Sequence, residues 1–134
     1  VIAEVSPDED QVESKAETRA FQTRPRQLVG QPAGPGLAVG KARVITSSAD
    51  LFDFQAGEVL VCDAVDPNIT FIVPLCAAIV ERRGGMLIHG AIIAREYGLP
   101  CVTGVPEAAN VIITGDSVTV DGYLGIVTVE SQSR

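Results

Sequence analysis

The stretch GDSVTVDGYLGIVTVE (115–130) limits the fold more than any other part of the chain. SVTV and GIVTV alternate apolar and polar residues with a period of two, and Asp121-Gly122 between them is a turn-forming pair. Two strands joined this tightly run antiparallel. A sheet that closes on a hairpin is not a doubly wound parallel sheet. Upstream, LAVGKARVI (37–45) reads as a strand and AGEVLVCD (56–63) as a turn leading into a buried strand. Residues 68–78 read as a short helix containing Pro74, and AIVE (78–81) as a short strand. A helix over 90–98 is stopped by Gly98 and Pro100, and PCVTGV (100–105) gives a strand and turn. The order β-β-α-β-α-β-(α)-β-β predicts a small α/β domain with a mixed sheet and a few short helices. Hydrophobic residues make up 46% of the chain and aromatics only 4%. The core is therefore expected to be built from Val, Ile, Leu and Ala.

The N-terminal part has a different character. Residues 1–20 carry six acids against Lys15 and Arg19, with no apolar period. Residues 30–36, GQPAGPG, suit neither a helix nor an interior strand. The expected division is an acidic mobile tail over 1–30 and a folded domain over 31–134. The net charge of -7 and the lack of Lys/Arg runs longer than two argue against nucleic acid as a partner. No apolar run reaches membrane-spanning length, and no export signal is read, so no membrane association and a cytoplasmic location are expected. Cys62, Cys76 and Cys101 are odd in number and lie in apolar stretches, which suggests reduced core thiols. Their spacing does not suit a metal site.

His89 is the only histidine, and it lies in GGMLIHGAIIAREYGLP (84–100), at or just before the first turn of the expected helix. The first N–H groups of a helix lack partners within the helix. The positive end of the helix dipole disfavours an imidazolium, so a histidine here is biased towards its neutral, nucleophilic form. A phosphoryl group on the ring would meet those free N–H groups. Gly84, Gly85 and Gly90 keep side chains away from the approach. On these residues alone two roles stay open: a capping histidine that only hydrogen-bonds, or a nucleophile that takes and passes on a phosphoryl group. A Ser-His-Asp hydrolase is not supported, since no GxSxG occurs.

GGMLIHGAIIAREYGLPCVTGV (84–105) resembles the phosphohistidine signature of the phosphoenolpyruvate-utilising enzymes, in their mobile domain. ITGDSVTVDGYLGIVTV (113–129) is similar to that domain's closing stretch, and PAGPGLAVGKARVI (32–45) to its opening strand. The resemblance implies a swivelling β/β/α domain that carries a phosphoryl group on His89. It implies a nucleotide-binding (ATP-grasp) domain and an acceptor-binding domain as partners within one enzyme of the phosphoenolpyruvate synthase or pyruvate dikinase type. ATP and Mg²⁺ would sit in those partners, with no cofactor or metal in this domain. Arg95 would support phosphate together with the three glycines, although its distance from His89 also fits a structural salt bridge. AFQTRP (20–25) is similar to the closing strand of the ATP-grasp domain, which would put Gln22 and Arg24 at the nucleotide in an intact enzyme. Two positions depart from the pattern. Ile88 stands where Ser or Thr is usual, and Gly90 where Ala is commoner. The missing hydroxyl keeps a second class open, a swivelling interaction module without phosphoryl chemistry, like the moving domain of aconitase-type hydro-lyases.

Overall fold

A computed structural model describes residues 26–84 and 89–130; for His89 and Gly90 it gives their place in a helix and nothing of their side-chain surroundings. The acidic segment, Gln22, Arg24, Gly85 and Ile88 lie outside the described residues. The strands are β1 (Arg26–Val29), β2 (Gln31–Gly34), β3 (Leu37–Val44), β4 (Val59–Cys62), β5 (Ala78–Glu81), β6 (Cys101–Thr103), β7 (Ser117–Asp121) and β8 (Ile126–Glu130). The helices are α1 (Ser48–Phe52), α2 (His89–Tyr97) and α3 (Ala108–Val111), with a 3₁₀ turn at Thr70–Leu75. The expected α/β class with a mixed sheet and few short helices holds.

The strands join in the order β1-β8-β7-β3-β4-β5-β6-β2. β3 through β6 run parallel, while β1, β8, β7 and β3 alternate in direction. β3 serves both halves: Leu37–Lys41 pair with β7, and Ala42–Val44 pair with β4. The continuous sheet therefore turns over along this one strand. One apolar cluster takes Val59, Val61, Ala78, Val80 and Val102 from the parallel half, and Leu28, Val118, Val120, Val127 and Val129 from the antiparallel half. The other face of the parallel strands presents Leu60, Cys62, Ile79 and Cys101 to Ile72 and Val73 of the 3₁₀ turn and to Ala91 and Ala94 of α2. Alternation along each strand thus fills two cores, one between the sheet halves and one under the helices. This is a β/β/α layering.

Several expectations need correction. The Pro/Gly segment is not a linker. Gln31–Gly34 pair with β6 at the rim of the sheet, where a proline is tolerated because its missing N–H leaves no gap in an interior ladder. Arg26–Val29 pair with β8, so the sheet starts before the expected boundary at residue 31. The expected helix over 68–78 is a 3₁₀ turn limited by Pro74. The hairpin loop holds four residues, 122–125, since Asp121 already pairs with Ile126. The Asp121 carboxylate accepts the N–H groups of Tyr123 and Leu124 and so shapes that loop. The stop of α2 follows expectation. Gly98 has φ +68°, its N–H bonds the Arg95 carbonyl, and the Leu99 N–H bonds the Ala94 carbonyl, which together form a Schellman motif.

Candidate functional site

His89 is the first residue of α2, the helix that follows β5. It therefore starts at the carboxyl ends of the parallel strands, where α/β sheets leave a crevice between loops. The loops after β4, β5 and β6 are stitched together at this level. The Arg82 N–H bonds the Cys62 carbonyl and the Arg83 N–H bonds the Asp63 carbonyl, both at 3.0 Å. The Gly104 N–H reaches the Arg83 carbonyl at 2.8 Å, and the Val105 N–H reaches that of Glu81 at 3.1 Å. The turn that leads towards His89 thus springs from a fixed base.

Gly84 lies in that base. A Cβ on it would stand 3.3 Å from both Gln31 Oε1 and the Gly104 Cα. Gly104 itself has φ +68°. The two glycines let the loops after β5 and β6 pass closely, which is a packing reason for Gly84 that the sequence reading did not include. Arg95 lies six residues past His89, about 9 Å along the helix axis. Its Nε donates to the Ala33 carbonyl at 3.0 Å. It ties α2 to the edge strand β2, by a main-chain hydrogen bond where a salt bridge was expected. The structure does not bring Arg95 to the helix start.

Arg82 and Arg83 both reach the Asp63 carboxylate, Arg83 through its Nε at 2.9 Å. The hydrogen bond from Arg82 is the main reason that the Asp63 carboxyl is held below its ordinary range, helped by the charges of both guanidiniums. All three side chains are exposed. The pairs should accordingly contribute little to stability, and Asp63→Ala is expected to shift the urea midpoint by less than about 1 kcal/mol equivalent. Beside them, an open cleft of about 230 Å³ is lined by Thr46, Ser47, Asp63, Asp66 and Asn68, among others. The Asp66 carboxylate accepts the Asn68 N–H at 2.8 Å and sets the turn before the 3₁₀ segment.

Glu81 was missed by the sequence reading. It closes β5, is wholly buried, and accepts the Val65 N–H on Oε2 at 2.6 Å. Burial pushes its carboxyl up to about 7, against the lowering effect of the Val65 bond. The signal was available in principle. Glu81 lies two positions after Ile79, so strand alternation places it on the helix-covered face. Cys62, Cys76 and Cys101 are free, buried core thiols, each pushed up by burial. Among the described residues no group of three His, Cys, Asp or Glu side chains is arranged to hold a metal ion. No helix among them is long and apolar enough to cross a membrane.

Comparison with known proteins adds to this geometry. Residues 54–125, more than half of the chain, match the sequence model of the family described as PEP-utilising enzyme, mobile domain. A probable phosphoenolpyruvate synthase from Staphylothermus marinus is 38% identical over 130 residues, which is 92% of this chain and 16% of that protein. Rifampicin phosphotransferase from Streptomyces sviceus is 41% identical over 104 residues, 75% of this chain and 12% of that protein. The chain thus spans less than a fifth of the length of these relatives. Among solved structures, that of an Enzyme I protein is similar with a TM-score of 0.53 and 29% identity, over 62% of this chain and 34% of that one.

Proposed function

The chain belongs to the mobile-domain family of the PEP-utilising enzymes, and from that premise we propose that it is the phosphohistidine carrier domain of an ATP-dependent phosphotransferase. His89 is the carrier. A neutral ring nitrogen attacks phosphorus at the nucleotide; the N–P bond forms as a P–O bond of the nucleotide breaks. At a second site an acceptor oxygen takes the phosphoryl group and the N–P bond breaks. Splitting one difficult transfer into two easier ones is the advantage of such an intermediate. The observation that carries the reading is the position of His89 as the first residue of α2, at the strand ends where three loops are stitched together. There the unpaired N–H groups of the helix start favour an anionic group on the ring and disfavour an imidazolium.

The remaining parts of the machinery belong to other domains. The metal and the bound nucleotide are assigned to a nucleotide-binding partner domain, in keeping with relatives that are named as phosphoenolpyruvate synthase and rifampicin phosphotransferase. There the metal would neutralise charge on the phosphates. Gln22 and Arg24 are assigned to the nucleotide side of the intact enzyme, Gly84, Gly85 and Gly90 to the open approach around His89. The acceptor, pyruvate or a hydroxyl of another small molecule, is bound by a third domain. The cytoplasm, where ATP is supplied, is the location assigned to the enzyme in this reading.

Labelling tests this directly. The intact enzyme is incubated with ATP carrying radiolabel at the β or the γ phosphate, as wild type and as His89→Ala. Acid-labile, base-stable label from the β position is expected in wild type and none in the variant. Label from the γ position alone keeps the carrier role and removes the dikinase route. No label on a folded, nucleotide-binding enzyme overturns the carrier role and leaves a swivelling module without phosphoryl chemistry.

A further inference from the structure

The buried carboxyl of Glu81 has no part in the mechanism above. Glu81 is 0% exposed. Its Oε2 accepts the Val65 N–H, while Oε1 has no hydrogen-bond partner among the described residues. A buried acceptor left in this way carries a desolvation cost that no bond repays. Ile79, two residues earlier on the same face, shows that an aliphatic side chain suits this layer. The carboxyl is thus a liability for stability, and its location suggests what it does.

Glu81 is the last residue of β5, and the register puts Cys62 of β4 beside it. Thr103 ends the neighbouring strand β6, opposite Gln31 of β2. α2 packs over β2, β5 and β6. Val65, held by Glu81, belongs to the loop that leaves β4, and its side chain is buried in the core under the helices. The next residues, Arg82 and Arg83, hold the same loop through the Cys62 and Asp63 carbonyls. One buried side chain therefore spans from the loop after β4 to the strand end that leads to His89. We propose that Glu81 is a positioning residue for the phosphoryl chemistry of His89, fixing the loop after β4 against the strand end from which the histidine turn springs. The inference rests on the carrier reading above.

The charged and titratable groups around Glu81 are few. Asp63 in the loop raises its carboxyl slightly and is itself paired with Arg82 and Arg83. Cys62 lies beside it on β4, and Cys101 on β6 lies beside Ile79, two residues earlier; both thiols stay neutral. Arg95 on α2 donates to the Ala33 carbonyl. Burial brings the carboxyl to about 7, so its charge changes in the neutral range. An ionised carboxylate is the stronger acceptor for the Val65 N–H. The tie is firm above that pH and slack below it.

Two measurements decide the matter. His89 is the only histidine, so its ring signals are unambiguous by NMR in the 134-residue chain. Wild type is expected to show one inflection near 7 shared by the His89 ring and the Val65 amide, besides the imidazole's own. Glu81→Gln, which keeps the shape and loses the proton, removes the shared inflection only. In the intact enzyme, Glu81→Leu is expected to slow His89 phosphorylation about tenfold at unchanged nucleotide affinity, and Glu81→Gln to restore most of the rate. His89 curves that superpose in wild type and Glu81→Gln overturn the inference, as does Glu81→Leu phosphorylated at the wild-type rate. If wild-type His89 takes no label, it is the carrier reading that fails, and the NMR comparison still decides whether Glu81 is coupled to His89.

Discussion

Gly122→Ala is expected to destabilise the domain by about 3 kcal/mol or more. A Cβ on Gly122 would stand 1.8 Å from the Gly34 carbonyl oxygen and 3.1 Å from the Cys101 main-chain nitrogen. Both are backbone atoms, so no side-chain rotation relieves the clash. The contact also joins distant parts of the fold. The Gly122 N–H bonds the Gly36 carbonyl at 2.7 Å, and Gly34 in turn packs so closely that its own Cβ would meet the Leu99 carbonyl at 2.5 Å. Relief would mean moving the hairpin loop away from edge strand β2. A urea titration of Gly122→Ala should show a much lower midpoint. Leu124→Ser in the same loop is the control. Leu124 is 66% exposed, and its replacement should leave the midpoint within about 0.5 kcal/mol equivalent. Equal midpoints for Gly122→Ala and wild type would mean that the hairpin loop and β2 do not meet as described.

The second large effect is a stability that falls as pH rises. The Glu81 carboxyl is raised to about 7 in the folded domain, against about 4.3 in an unfolded chain. A raised folded value means that the native state holds its proton longer. Its contribution is therefore complete below about pH 4.3 and is lost as pH rises through about 7. At about 1.4 kcal/mol per pH unit the loss amounts to about 4 kcal/mol. Glu81→Gln should abolish this part of the profile. Urea midpoints at pH 5 and pH 8 should differ clearly for wild type and much less for the variant. If the two proteins have parallel profiles, Glu81 does not titrate in this window. The same loss explains how a tie to Val65 can exist without adding net stability at high pH: the hydrogen bond gains strength while the buried charge costs more.

Much of this fold was legible in the sequence because its local rules agree with its global ones. β7 and β8 alternate as SVTV and GIVTV demand, and α2 stops where Gly98 and Pro100 require. The errors fall where tertiary pairing overrides local preference. Gln31–Gly34 contains Pro32 and two small residues and has no strand propensity, yet it pairs because the rim beside β6 is open to it. α1 was missed although Ser47 and Asp50 have the spacing of a capping box; the Asp50 carboxylate accepts the Thr46 and Ser47 N–H groups. The site was legible in a different measure. His89 stood out by its glycines and by its uniqueness, and its place at a helix start is as expected. Glu81 did not: alternation puts it on the face of Ile79, but AIVE does not say that a helix and a loop reach far enough to cover the last strand residue. Gly84 was read as leaving room near His89, and Arg95 as a phosphate support that the resemblance implies; their contacts, with Gly104 and with the Ala33 carbonyl, depend on loops and strands brought together only in the fold.

The pairing of β1 with β8 has a mechanical meaning. Arg26 lies opposite Val129, one residue from the end of β8. The chain thus enters and leaves the sheet side by side on two neighbouring strands, in the antiparallel half, while α2 starts at the far half of the sheet beyond β3. Segments continuing from these two strands would start beside each other, and a rotation about that point would not wind one around the other. Only Gly30 separates β1 from β2, so the two outer strands of the order meet, and the β1/β8 pair and the strands under α2 form one compact body that would turn as a whole.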